Sequence, residues 1–276
     1  MSAAVPEAPP AAARRSTVRP LGVILITLWI LIFAGIAWGL VNSLDAERLA
    51  TFGGRIAQGF VVTIELVVAS ILIGAAISVP VAAGRLSQKK LIGAIAFAFS
   101  YFFRGTPLVA QTFLIYYGAG QFSSELKAAG MWWLFRDAFN CAVLAFALNT
   151  AAYQAEILSG AIRNMPRGQR EGAAALGLHK WLTFRKVILP QALVSAVRPY
   201  GNEVILMTKA SSIASIITVL DLMGQTRFVF SKTYDLSFYF WAALFYLATV
   251  EVVSHAVNLV EKRLTRHIRP PSTTRA

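Results

Sequence analysis

The sequence predicts an all-α protein, a polytopic bundle of about six transmembrane helices, and three observations lead there. First, 57% of the 276 residues are apolar and only 14% are charged, whereas soluble domains carry roughly 25% charged residues. A chain of this makeup would expose too much apolar surface in water. Second, the apolar residues gather in runs close to the roughly 20 that a helix needs to cross a hydrocarbon core about 30 Å thick. Third, Lys+Arg 26 outnumber Asp+Glu 13, and they alternate between dense and sparse from one inter-run segment to the next. A net charge of +13 could also suit nucleic acid, but those proteins gather their cations in a patch or stripe. Here apolar runs separate them, so no nucleic-acid partner is expected. The single Cys141 excludes an internal disulfide, a CxxC redox pair and a multi-cysteine zinc site, and no metal site is expected.

The elements follow in order. Residues 1–20 are Ala/Pro-rich at the start and lack periodicity, which predicts a disordered N-terminus. Residues 21–41 contain no charge and form the cleanest span; the run is too long for a signal-peptide core and lacks a small-residue cleavage site. The second span, 56–84, is broken only by Glu65. The third, 91–120, is interrupted by Arg104-Gly105-Thr106-Pro107. The fourth, 138–160, holds Glu156; the fifth, 196–220, holds Arg198, Glu203 and Lys209; the sixth, 236–260, carries Glu251. Residues 261–276 form a basic tail.

Cytoplasmic loops near membrane ends collect Lys and Arg. Placing the N-terminus inside puts Arg14, Arg15 and Arg19, then Arg85, Lys89 and Lys90, then the cations between Arg163 and Lys186, then the tail on one side. Only Arg48, Arg55, Lys127, Arg136, Arg227 and Lys232 fall on the other. Both termini are therefore expected inside, and Trp132 and Trp133 in the longest outer loop suit interfacial anchoring.

An acidic group at mid-bilayer costs about 2.5 to 3.5 kcal/mol on insertion scales, so Glu65, Glu156, Glu203 and Glu251 should face protein or water. Glu65 and Glu251 read best as structural, the latter four residues before His255, a spacing at which the two meet on a helix. In the fifth span Thr208, Ser211, Ser212, Ser215 and Thr218 recur at three- and four-residue steps. That face is open to two readings, helix packing or, with Glu203 and Lys209, the lining of a translocation path. Asn149, Tyr153 and Glu156 form a similar stripe in the fourth span, meeting a polar solute or a partner helix. Pro107 removes a donor and clashes with the preceding turn, and broken backbone at membrane depth survives only in protein or beside a cavity. Arg104 and Gln111 are therefore candidates for shaping a pathway.

The loop 161–195 is too long for a simple turn. Pro166 can open a first helix bearing REGAAALGL, Gly177 and His179 mark a turn, and a basic, bulky segment 180–189 is expected to end at Pro190. A solvated positive-inside loop is the plain alternative, and the ordered start, turn and stop argue against it.

These loop residues resemble a known pattern. Glu171-Gly172-Ala173, then Gly177, then Val187-Ile188-Leu189-Pro190 is similar to the EAA loop of the membrane subunits of binding-protein-dependent ABC importers, with Gly172 and Val187 as mild departures. Arg104 to Leu108 with Gln111, Asn149 to Tyr153 with Glu156, and Gly201 to Met207 resemble the polar amino acid branch, most of all the M-type subunits of histidine/lysine/arginine/ornithine and opine importers. The resemblance covers about residues 55–270. It implies a five-span type I importer core over 55–260, with 21–41 as an added span in the bacterial inner (cytoplasmic) membrane. It assigns Glu171, Gly172, Ala173, Gly177, Leu189 and Pro190 to coupling with a cytoplasmic ATPase dimer. It also implies a second, similar permease subunit or a second copy of this chain, a periplasmic or extracellular solute-binding protein, surrounding membrane lipid, and a polar, basic amino acid or opine as cargo. The chain has no GxxxxGK[ST] loop, so it is expected to be no enzyme and to bind no cofactor, ATP and Mg sitting on the partner. The candidate pathway residues are Arg104, Gln111, Asn149, Tyr153, Glu156, Glu203, Lys209 and Ser212. A secondary, ion-coupled transporter of small polar solutes is the alternative; it often shows inverted repeats, and none is evident. A membrane-embedded enzyme would need a metal cluster or a Ser/His/Asp set that the sequence does not display.

Overall fold

The computed structural model describes residues 20–42 and 46–266. Most of the expected disordered segment, 1–19, and the tail residues 267–276 lie outside the described residues. The chain divides into two compact units, Met1–Asp45 and Ala46–Ala276. In the first, α1 (Pro20–Asn42) is a wholly uncharged helix about 34 Å long at 1.5 Å per residue, with Trp29 stacked on Phe33.

In the second unit all regular structure among the described residues is helical, the helices being joined by short turns. It runs α2 (Ala46–Arg85), α3 (Lys90–Gly105), α4 (Leu108–Phe113), a π-helical turn Leu114–Gly118, α5 (Ala119–Gln121), α6 (Ser123–Ala128), α7 (Trp132–Phe135) and α8 (Ala138–Arg163). There follow α9 (Arg167–Ala175), α10 (Lys180–Thr183), a π-helical turn Phe184–Ile188, α11 (Leu189–Ala210), a 3-10 segment Ser211–Ile217, α12 (Leu222–Thr233) and α13 (Ser237–Leu264). Three stretches, Ala50–Arg85, Ala138–Arg163 and Ser237–Leu264, are long and apolar enough to cross a membrane, and two bent pairs raise the number to 5. The first pair is α3 with Leu108–Gln121, turned through 102° at the predicted break, and the second is Lys180–Ile217 with α12, turned through 49°. The remaining expected span, 21–41, corresponds to α1, whose apolar stretch is Gly22–Ile36.

α8 is the centre of this unit. Asp137 caps its start by accepting from the Phe139 amide at 2.7 Å, and a row of alanines, Ala142, Ala145, Ala147, Ala151, Ala152 and Ala155, is fully buried along it. Small side chains let neighbouring backbones approach, which replaces hydrophobic drive where lipid is as apolar as the helix. α2 uses that space most closely. A Cβ added at Gly74 would lie 2.4 Å from Thr150 Cγ2 and 3.1 Å from the Ala147 carbonyl oxygen. Leu66, Val67, Cys141, Phe146, Met207 and Ile217 complete the main core, and a second cluster of Ala82, Ala155, Leu158, Ile162, Ile188 and Ala192 seals the end where α2 and α8 finish.

Three expectations are corrected. α2 starts at Ala46 rather than 56, so Arg48 and Arg55 sit on helix and not in a loop. Hydropathy marks where lipid contact ends, whereas the backbone ladder continues as long as its polar groups are held. Arg48 pairs with Asp235, and Arg55 lies 4.8 Å over the Phe228 ring. Pro190 does not stop the loop helix, because it stands at the start of α11 immediately after the π-helical turn. A proline costs least where its N–H would have no regular partner. Finally, the hydroxyls of 208–218 do not form one α-helical face. The chain tightens to 3-10 geometry at Ser211 and ends at Thr218, φ 71°; Thr208, Ser211 and Ser215 are buried in packing, their hydroxyls donating to carbonyls of Val204, Thr208 and Ser212.

Two stability tests follow from this geometry. Gly74→Val should lower stability by about 1–3 kcal/mol through overpacking, while Gly172→Ala, with nothing within 4 Å of its added Cβ, should leave stability equal or higher by up to ~1 kcal/mol; thermal unfolding in detergent reads both. At the opposite end of the bundle, burial pushes the Asp235 carboxyl up, but hydrogen bonds from Ser237 and the Arg48 guanidinium outweigh it and hold the group below the usual carboxylate range. Its contribution is therefore present above the unfolded-state value and lost as pH falls through the lower folded value. Asp235→Asn should flatten the acid limb of the stability profile, and a wild-type profile already flat there would contradict the assignment.

Candidate transport and coupling sites

The helix break organises the first group of polar residues. Phe103 would ordinarily accept from the amide four residues on, but that residue is Pro107, which has no N–H. The Gln111 amide supplies the missing donor at 2.9 Å, and the Asn149 amide of α8 supplies a second at 2.8 Å. Gln111 Nε2 also meets the Thr106 carbonyl oxygen and hydroxyl at 3.1 and 2.7 Å, and its own oxygen accepts from Asn149 at 3.2 Å. Both amides are buried. They satisfy the freed backbone and tie the 102° turn to α8.

The second group lies nearer the end of α8. Glu156 Oε1 accepts from Arg85 Nε at 2.7 Å, and Oε2 stands 4.0 Å from Arg104. Arg104 in turn lies over the Tyr153 ring at 5.3 Å, and Arg163 donates to the Arg85 carbonyl oxygen. One carboxylate thus serves two guanidinium groups from the ends of two other helices, leaving a local excess of positive charge. Arg104 is the accessible member at 43% side-chain exposure. The sequence reading missed Arg85, taken as a topology cation; the available signal was that a lone intramembrane carboxylate needs a cation.

A third group surrounds Glu203 of α11, which is 6% exposed and accepts from the Thr150 hydroxyl at 2.8 Å. Gln154 donates to the same hydroxyl at 3.1 Å, and the Tyr200 hydroxyl reaches the Gln154 carbonyl oxygen at 3.4 Å. Among the described residues, neither Glu156 nor Glu203 pairs with the two cations of the fifth span, Lys209 and Arg198. Arg198 instead meets Glu261 at 3.3 Å, because α13 rather than α8 covers that face of α11. Lys209 is exposed and Ser212, half-buried, donates to the Lys209 carbonyl oxygen. They lie past Glu203 along α11, away from Glu156. Glu251 meets His255 at 3.2 Å on the exposed side of α13, and Glu65 is exposed on α2.

The loop is a built structure. α9 ends in a Schellman turn: the Leu178 amide donates to the Ala173 carbonyl oxygen at 3.0 Å, the Gly177 amide to that of Ala174 at 2.9 Å, and Gly177 has φ +70°. Glycine adopts this left-handed conformation without the penalty a side chain brings. Ala173 is buried at the root of α9, whereas Glu171, Gly172 and Gly177 are exposed and Leu176 is 79% exposed. Gln191 of α11 donates to Gln169 of α9 at 3.1 Å. Val187 and Leu189 pack on the cluster that joins α2, α8 and α11, and Pro190 stays exposed. A helix presented outward is therefore rooted in the ends of the spans.

A membrane bundle with a broken span, internal carboxylates and an exposed helix between two spans has the makeup of a transport-system membrane subunit. The chain belongs to the family of binding-protein-dependent transport system inner membrane components, whose pattern matches residues 71–270. It is 43% identical over 208 residues to the nopaline transport system permease protein NocM of Agrobacterium fabrum, covering 75% of this chain and 86% of that one. It is 38% identical over 219 residues to the histidine/lysine/arginine/ornithine transport system permease protein HisM of Escherichia coli, covering 78% and 91%. A solved amino acid ABC transporter crystallised with histidines superposes with a TM-score of 0.72 at 32% identity, covering 80% of this chain and 99% of that one. The MetNI methionine ABC transporter shares the fold at a TM-score of 0.65 and 17% identity, covering 80% of this chain and 100% of that one.

The Arg85–Glu156 pair is open to a double-mutant cycle. Arg85→Gln and Glu156→Gln should each destabilise, and the double variant should recover about 1–2 kcal/mol relative to their sum. Strict additivity in thermal unfolding would show that the contact contributes nothing.

Proposed function

We propose that this chain forms, with a second permease subunit or a second copy of itself, the translocation pathway for a basic amino acid or an opine. It lies in the bacterial cytoplasmic membrane with both termini inside, receives cargo from a solute-binding protein outside, and is driven by an ATPase dimer that carries ATP and Mg. The observation that supports this reading most is the construction of α9: an exposed helix closed by the Gly177 turn, rooted by buried Ala173 and tied to α11 through Gln191–Gln169 and to α8 through Arg170 and the Ile162 carbonyl oxygen. A solvated loop needs no such root. Loop 161–195 is then the coupling element, with Glu171, Gly172, Ala173, Gly177, Leu189 and Pro190 belonging to it.

The cargo reading draws on Glu156, Glu203 and Arg104. An amino acid of this class carries a carboxylate and a cationic side chain. The half-exposed Arg104 suits the former, and a carboxylate already serving guanidinium groups, as Glu156 does, suits the latter. Buried Glu203 would become available only if α8 and α11 separate at Thr150. Gln111 and Asn149 act on this pathway by holding the broken backbone.

Gly177→Asp should leave the protein inserted, lower transport at least about tenfold and release the ATPase on purification. Gly177→Asn, which tolerates the left-handed conformation, should keep most activity and so separates charge from strain. Full transport with the ATPase retained by the Asp variant would remove the coupling assignment. Arginine uptake unchanged in both Glu156→Ala and Glu203→Ala, made separately, would remove the carboxylates from the cargo site.

A further inference from the structure

Behind α9 lies a cavity of about 870 Å³, lined largely by the loop 161–195, to which the transport reading assigns no ligand. It opens where α2 and α8 end, between the α2–α3 turn and the π-helical turn before α11. Four cations line it, Arg85, Arg163, Arg170 and Lys180, over apolar side chains that include Leu86 and Phe184. Among its described lining residues there is no Asp or Glu. Glu156 offsets one of the four charges through Arg85. Among the described residues, Arg163 and Arg170 donate only to neutral backbone carbonyl oxygens, of Arg85 and Ile162. Cations gathered in a concave site, unmatched by carboxylates, repel one another unless an anion enters.

We propose that this cavity binds the phosphate of an anionic phospholipid headgroup. Its position and its two-part lining argue for lipid. The spans end here, so the cavity sits at the depth of headgroups, and a basic rim over an apolar floor matches a phosphate joined to a glycerol backbone. Just outside, Trp181 is 63% exposed and stacked at 5.8 Å on Phe184, an aromatic arrangement suited to a membrane interface. Lys89 and Lys90 precede the exposed Leu91 and Ile95 on α3, giving the same sequence of charge then apolar contact. A lipid held here touches α8, α9 and the α2–α3 turn at once, and so bears on the loop that the proposed function makes the coupling element; the binding itself does not depend on which solute is carried.

The test is native mass spectrometry on the delipidated full chain in neutral detergent, titrated separately with phosphatidylglycerol, phosphatidylcholine and inorganic phosphate. Phosphatidylglycerol should bind in preference to both. Arg170→Gln with Lys180→Gln should weaken it about thirtyfold, from the contribution of two near-surface cations, while Arg170→Lys with Lys180→Arg restores it. Lys262→Gln with Arg263→Gln, basic residues in the last turn of α13 outside the cavity, should leave it unchanged. Each variant is first checked for a wild-type thermal midpoint, and Lys180→Gln alone serves if the double variant fails. Equal binding of phosphatidylcholine, equal loss in the α13 variant, or undiminished binding in a folded cavity variant would overturn the proposal. Inorganic phosphate binding as tightly as phosphatidylglycerol would overturn the lipid assignment and leave a soluble phosphate site. Loss of the coupling assignment through the Gly177 variants would leave this result untouched.

Discussion

The contact between α2 and α8 is the constraint on which the rest of the second unit rests. In lipid there is little hydrophobic advantage in bringing two apolar helices together, so close approach and good packing must supply the attraction. The buried alanines of α8 and Gly74 of α2 make that approach possible. Once the two helices are fixed, three other features find their places: the end of α2 reaches Glu156, the broken third span finds Asn149, and α11 finds Thr150 through Glu203. Each lies on α8, and each would lose its partner if α8 rotated or withdrew.

That arrangement also explains why so many polar groups survive inside an apolar bundle. Buried polar atoms cost several kcal/mol when unpaired and little when paired. Pro107 creates a local deficit by depriving Phe103 of its donor, and two side-chain amides repair it. The ions are treated differently. Glu156 is kept near the end of the span, where side chains remain partly accessible, while the more deeply placed Glu203 receives a neutral hydroxyl partner instead of a cation.

Much of this was legible from the residues, and the limits have physical causes. Apolar runs located the spans because crossing lipid leaves a length signature. Arg104-Gly105-Thr106-Pro107 announced the break because proline chemistry is local, and Gly177 announced the turn for the same reason. Matches to the family and its relatives support the membrane-subunit reading that the loop motif suggested. Three kinds of information were absent. Hydropathy carries no mark for a helix continuing past the lipid, so the start of α2 was missed. Periodicity assumes one helix type, so the change to 3-10 geometry at Ser211 scattered the expected polar face. Ion pairing depends on which helices are neighbours, and nothing in the spacing of Glu156 points to Arg85, far away in the chain.

The π-helical turn at Phe184–Ile188 has a mechanical meaning. By absorbing Pro190 without ending the helix, it joins α10 to α11, so that the stretch Lys180–Ile217 runs without an intervening loop. At about 1.5 Å per residue this is a member roughly 57 Å long. A loop at Pro190 would have acted as a slack joint, dissipating any push on its outer end. The stretch packs through Ile188 and Ala192 on the cluster at the ends of α2 and α8, and Pro199 interrupts its hydrogen-bond ladder further along. The continuity of backbone from the loop into the span is thus a property of five residues wound slightly too wide.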